Sequence, residues 1–220
     1  PDNAAMAMLM GNYYFRRGKL NEADAAYHKA IDLNPDNVEF YGVLASFYKA
    51  TGKPEQALDL YRKALELEPE NDNVQLAIAR YDLEHGNLDD AEKLIAEVLE
   101  KRPKHFLARM LRGELYARNR EFDKSLQLFG QLVEEEPGSA PAHYFKGLSH
   151  YGKGQIQLAK TTLGRAIELD AQSARARLLL AEINLRERDF ELARRQAREV
   201  LKIQSENFRA GLIVGNSFMY

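Results

Sequence analysis

The sequence predicts an all-α solenoid of stacked helix-turn-helix hairpins. Three observations carry that prediction. Prolines recur every 34 residues, at Pro35, Pro69, Pro103 and Pro137. Small and aromatic residues hold the same register between them. Glycines fall at one fixed point in most repeats, where the chain must reverse.

The elements follow in order along each repeat. A first amphipathic helix of about 14 residues opens it. Its small series is Gly11, Ala45, Ala79, Gly113, Gly147 and Ala181, and these let two helices approach closely. Three residues on come Tyr14, Tyr48, Asp82, Tyr116, His150 and Asn184. A tight turn follows, holding Gly18, Gly52, Gly86 and Gly154, because glycine takes a left-handed conformation at little cost. Arg120 and Arg188 replace it in repeats four and six, which predicts turns that are strained or differently shaped. The second helix begins near Pro54 in repeat two, a residue suited to a first helical turn. It carries the small series Ala23, Ala57, Ala91, Ser125, Ala159 and Ala193, and the bulky series Tyr27, Tyr61, Ile95, Phe129 and Leu163. The proline at the repeat end stops it, having no N–H and clashing with the preceding turn. One hairpin cannot bury its apolar face alone, so neighbours stack.

This pattern resembles the tetratricopeptide repeat, a 34-residue unit with small, aromatic, alanine and proline positions at these offsets. The resemblance implies a right-handed α-solenoid, read as one array over residues 1–220. Its repeats are 4–37, 38–71, 72–105, 106–139, 140–173 and 174–207, with partial repeats at 1–3 and 208–220. The family's tryptophan is missing: Ala7, Tyr41, Gln75, Arg109, His143 and Arg177 take its place. The closing proline becomes Ala171 and Ser205 in repeats five and six.

Both ends look cut. Pro1-Asp2-Asn3 repeats the closing Pro35-Asp36-Asn37, and Phe208 to Tyr220 reads as a first helix without its partner. That helix carries Leu212, Ile213, Val214, Phe218 and Met219 where a terminal repeat normally shows a polar face. The expectation is a segment of a longer array.

Composition narrows the function classes. A net charge of -2 supplies no field to draw the chain onto nucleic acid or an acidic membrane. With no cysteine there is no disulfide, thiolate nucleophile or cysteine-held metal. No apolar run approaches the length that spans a bilayer, so no insertion of this segment is expected. His143 and His150 share a helix face, but they stand where other repeats hold large residues, so no metal or cofactor is expected. No phosphate loop, zinc motif or nucleophile elbow is present, and the reading is not an enzyme. The compartment stays open between the cytoplasm and the periplasm or cell envelope.

The resemblance implies that first helices line a concave groove that receives a peptide or partner protein. The groove residues it marks are Met8, Asn12, Phe15 and Arg16; Ser46 and Lys49; and Asn73, Leu76, Arg80 and Leu83. Further along they are Leu107, Met110, Glu114 and Arg118; Tyr144, Leu148 and Tyr151; and Arg175, Leu178, Glu182 and Arg186. Tyr144, Leu148 and Tyr151 form the strongest single cluster. The clamp by which chaperone-binding members hold a C-terminal carboxylate is not expected, since Met8, Asn12, Val43, Asn73 and Ala77 occupy its positions and only Asn12 agrees. Charge is uneven: repeats two and three hold 9 basic against 14 acidic residues, and repeat six holds 8 against 6.

The leading function is a non-catalytic scaffold or adaptor for protein–protein interaction. A structural alternative is self-assembly through the apolar last helix. A contextual one comes from the alanine-rich repeats, which resemble those of bacterial cell-envelope proteins of exopolysaccharide assembly or export.

Overall fold

The computed structural model describes residues 3–218. Pro1 and Asp2 of the leading partial repeat, and Met219 of the trailing one, lie outside them. The described residues form thirteen α-helices and no strand. Where the register predicts one array, the residues group into two compact units, the first ending at Leu111 and the second beginning at Arg112.

The N-terminal unit holds α1 (Ala4–Arg16), α2 (Leu20–Leu33), α3 (Val38–Ala50), α4 (Pro54–Leu67), α5 (Asp72–His85) and α6 (Leu88–Lys101). They pair as hairpins α1/α2, α3/α4 and α5/α6, and α2 packs on α3 and α4 on α5. The helix α7 (Phe106–Arg118) contains the boundary. The C-terminal unit continues with α8 (Phe122–Glu135), α9 (Ala140–Gly152), α10 (Ile156–Leu169), α11 (Ala174–Arg186), α12 (Phe190–Ile203) and α13 (Phe208–Asn216). There α9/α10 and α11/α12 are hairpins, α8 packs on α9, α10 on α11, and α13 on both α11 and α12.

In every repeat but the fifth, where the Ser173 side chain makes no cap, the last residue caps the next first helix. Asn37 Oδ1 accepts from the Glu39 N–H at 3.0 Å, Asn71 Oδ1 from Val74 at 3.2 Å and Asn207 Oδ1 from Ala210 at 3.0 Å. Each satisfies a backbone donor that the helix itself cannot. The second helices stop two residues before Pro35, Pro69, Pro103 and Pro137. α10 and α12 stop at the same repeat position before Ala171 and Ser205. Proline therefore marks the stop without being required for it; at Ala171, Asp170 Oδ1 instead accepts from the Gln172 N–H at 2.9 Å and turns the chain.

All six hairpin turns have one shape. In each, an N–H five residues downstream returns to a carbonyl of the first helix: Lys19 to Tyr14, Lys53 to Tyr48, Asn87 to Asp82, Glu121 to Tyr116, Gln155 to His150 and Asp189 to Asn184, all at 2.8–3.0 Å. The bond needs a left-handed residue between. Gly52 supplies it at φ 75° and Gly86 at φ 84°, while Arg120 and Arg188 are held at φ 62° and 64°. The expectation of a different shape is thus corrected: these turns keep the geometry and carry the strain of a side chain in it.

Close packing follows the small and bulky series. A Cβ added at Gly11 would stand 2.4 Å from the Tyr27 ring, one at Gly113 2.7 Å from Phe129, and one at Gly147 2.8 Å from Leu163. Ala45, Ala79 and Ala181 fill the same place fully buried. The position lacking tryptophan has a job of its own. The Tyr41 hydroxyl donates to the Pro35 carbonyl at 2.9 Å, the Gln75 amide to Pro69 at 3.1 Å, and Arg177 Nε to Ala171 at 3.1 Å. His143 Nε2 lies 3.1 Å from the Pro137 carbonyl, which can only accept, so that nitrogen carries the hydrogen. Four different donors thus tie a first helix to the loop before it.

Candidate functional site

Each unit carries a cavity lined by first-helix residues. In the N-terminal unit it is about 290 Å³ and takes Ser46 and Lys49 from α3, Asn73, Leu76 and Arg80 from α5, and Leu107 from α7. Pro54, Ala57 and Tyr61 of α4 complete the wall with Ala77, Tyr81 and Glu84 of α5. Six residues that the family resemblance marks are therefore brought together. Glu84 was missed, although it occupies a groove position of its repeat. The α4 residues were missed for a different reason: the resemblance draws the groove from first helices alone.

Charge in this cavity is sparse. Lys49 Nζ lies 3.8 Å from Glu84 Oε1. Arg80 is half-buried and has no ion pair or hydrogen bond among the described residues. Leu76 has no exposed surface, so it floors the cavity from within the core.

Other marked residues of this unit do not join it. Leu83 is wholly buried and Met8 nearly so, which removes both from the surface a partner meets. Asn12 Oδ1 accepts the Tyr27 hydroxyl at 2.8 Å, and Phe15 packs edge-on against Phe47 at 5.3 Å. Arg16 is exposed at the end of α1. Met110 is buried on α7. Packing therefore takes several of these positions: Asn12 is held by the second helix of its own hairpin and Phe15 by the next first helix.

In the C-terminal unit the cavity is about 410 Å³, lined by Glu114, Ala117 and Arg118 of α7, Phe122 of α8, and Leu148, Tyr151 and Gly152 of α9. Glu114 Oε1 accepts from Arg118 Nε at 3.0 Å and from its Nη2 at 2.8 Å, which compensates a nearly buried carboxylate. The Arg186 guanidinium stands 5.5 Å over the Tyr151 ring. Tyr144 is half-buried beside Phe145, and burial pushes its hydroxyl above the usual tyrosine range while Arg175 pulls it down. Arg175 is exposed, and Leu178 packs toward the buried Ala181 and Ala193. Glu182 pairs with Arg209 at 2.5 Å. Phe122 was not foreseen; Gly152 makes room for it, since a Cβ there would stand 2.3 Å from the Phe122 ring.

His143 Nε2 is engaged as described, and His150 Nδ1 contacts Gln155 Oε1 at 2.7 Å. Among the described residues no three histidine, aspartate or glutamate side chains gather, and no helix is long and apolar enough to cross a membrane.

Family models described as tetratricopeptide repeat match residues 8–72 and 144–208, and residues 50–115 and 83–148. The chain belongs to the tetratricopeptide repeat family. Solved structures agree on the fold. A tetratricopeptide repeat protein from Parabacteroides merdae is 22% identical with a TM-score of 0.87, over 99% of this chain and 85% of that one. A thermophilic one from Thermus thermophilus is 19% identical with a TM-score of 0.74, over 84% and 100%. YrrB, described as a tetratricopeptide repeat protein with an unusual peptide-binding site, is 23% identical with a TM-score of 0.57, over 80% and 90%. No curated protein matches the sequence. The fold class is therefore all-α, built of tetratricopeptide hairpins.

Proposed function

We propose that this tetratricopeptide repeat protein is a non-catalytic scaffold whose first-helix surfaces hold a peptide or partner protein. The observation that carries the reading is the recurrence of one set of repeat positions around a cavity in each unit. Each cavity mixes apolar wall with a few fixed charges, the composition of a recognition surface. YrrB, with its peptide-binding site, lends the reading a precedent on the same fold.

The test is capture of partners by the immobilised chain, compared with the double variant Tyr144→Ala, Tyr151→Ala. Loss of the captured set in the variant supports the reading. Capture unchanged in both amount and identity removes these tyrosines from the contact surface.

Self-association is the second reading, and exposed apolar side chains favour it. Phe208 and Phe218 are 75% and 62% exposed, and Leu212 is 48% exposed, although Ile213 is buried against α12 and its neighbours. Light scattering across a concentration series decides: a constant monomer mass rejects it.

A further inference from the structure

Arg80 is the odd residue of the N-terminal cavity. It is half-buried on α5 and has no ion pair or hydrogen bond among the described residues. Its guanidinium carries no counter-charge among the described residues, so an anion entering the cavity meets donors that are not already engaged. The charges around it define that anion. Lys49 and Glu84 face each other at 3.8 Å and offset one another, so the lining holds one uncompensated positive charge. A single carboxylate balances it; a phosphate dianion overshoots. A guanidinium also matches a carboxylate by two parallel N–H donors.

The surroundings add two constraints. Asn73 is exposed on the same wall, with an amide N–H free to donate. Ser46 already donates its hydroxyl to the Gly42 carbonyl at 2.8 Å, so it offers only lone pairs, which suits a backbone N–H of the ligand. The remaining accessible wall is apolar: Ala77, Leu107 and Pro54.

We propose that this cavity reads an acidic side chain beside an aliphatic one in an extended segment of the partner. The carboxylate sits on Arg80 and Asn73, and the aliphatic neighbour on the Ala77 and Leu107 wall. The proposal rests on the protein-binding reading above and names the chemistry of one of its sites. It differs from the chaperone-tail clamp, whose one matching residue, Asn12, is occupied by the Tyr27 hydroxyl.

The experiment is an NMR titration of the isotope-labelled full chain, following the Arg80 Nε–H and the Asn73 side-chain amide. The probes are N-acetyl-Leu-Glu-amide, N-acetyl-Leu-Gln-amide, N-acetyl-Gly-Leu with a free C-terminal acid, and inorganic phosphate. The expected result is a saturable shift with the Leu-Glu probe and binding about tenfold weaker for Leu-Gln, the size of one charge-assisted hydrogen-bond pair. Arg80→Gln should erase that preference. Glu84→Gln, which frees Lys49, should strengthen Leu-Glu binding and serves where the arginine variant does not fold. Equal binding of Leu-Glu and Leu-Gln overturns the carboxylate assignment while leaving the groove reading intact. Tighter binding of the free acid or of phosphate overturns the choice of a side-chain carboxylate. If no probe moves a cavity resonance in the millimolar range, this cavity is not a site, and the protein-binding reading then stands or falls on the tyrosine variant alone.

Discussion

The two compact units solve the same hairpin with different residues. In the N-terminal unit every turn has glycine in the left-handed position: Gly18, Gly52 and Gly86. In the C-terminal unit Arg120 and Arg188 take that conformation and only Gly154 is relaxed. The turn bond is nonetheless the same length in both. Turn shape is therefore imposed by the packed helices on either side, and the residue at the turn decides only what that shape costs. The interiors differ likewise. The second-helix small position is alanine throughout the N-terminal unit (Ala23, Ala57 and Ala91), whereas in the C-terminal unit Ser125 takes it and meets a second buried serine, Ser149. Ser125 Oγ lies 2.7 Å from Ser149 Oγ and 3.0 Å from the Gly113 carbonyl, and Ser149 Oγ is 2.9 Å from the Phe145 carbonyl. Two hydroxyl hydrogens serve three short contacts, so one contact lacks a hydrogen at any moment.

The largest expected effect lies in the N-terminal unit. Ala91 is wholly buried on α6. Ala91→Arg should destabilise that unit by about 3–5 kcal/mol, through overpacking and an unpaired buried charge. Hydrogen exchange resolved along the chain should show the loss confined largely to residues before Leu111. An unchanged melting temperature would place Ala91 outside the core and break the register.

The turn comparison predicts an effect of opposite sign in the two units. Arg120→Gly and Arg188→Gly should each stabilise the C-terminal unit by about 1 kcal/mol, by removing a side chain from the left-handed region. Gly52→Arg should cost the N-terminal unit a similar amount. Denaturant midpoints measure all three. A loss of stability in Arg120→Gly would mean that its side chain contributes more than its backbone strain costs.

The buried hydroxyls predict a non-additive pair. Ser125→Ala alone should cost about 1 kcal/mol by removing the hydroxyl that reaches the Gly113 carbonyl and Ser149, while Ser125→Ala with Ser149→Ala should cost less than the sum of the singles. A double-mutant cycle reads the difference directly; strict additivity would show that the two hydroxyls do not share a hydrogen bond.

The smallest effect is set by pH. Burial, together with the Asp24 carboxylate, pushes the Tyr48 hydroxyl up to about 12. The folded value lies above the unfolded one near 10, so the stability it contributes is whole below pH 10 and drains away as pH rises toward 12. Tyr48→Phe should flatten that alkaline decline in the N-terminal unit. A decline of equal slope in the variant assigns it to other groups.

How much of this was legible in advance divides along physical lines. The 34-residue period located the turns and the helix-end stops, because a stacked hairpin repeats its needs for a left-handed residue, a close approach and a cap at fixed offsets. Gly11, Gly113 and Gly147 were legible as contacts for the same reason. The family resemblance, laid on that period, implied the positions that gather at each cavity, Ser46, Lys49 and Arg80 in one and Glu114, Arg118, Leu148 and Tyr151 in the other. What the period could not express is the choice among side chains sharing a face. Leu83 and Met8 sit at groove positions yet are buried, because their apolar surface is spent on packing within the protein before a ligand can reach it. The donors that replace tryptophan, the unpaired Arg80, and the entry of Phe122 beside Gly152 all depend on residues from different helices meeting in space. A repeat register fixes where along each helix a side chain stands; only packing between helices decides whether it is spent on the core, on a neighbour, or left facing an open cavity.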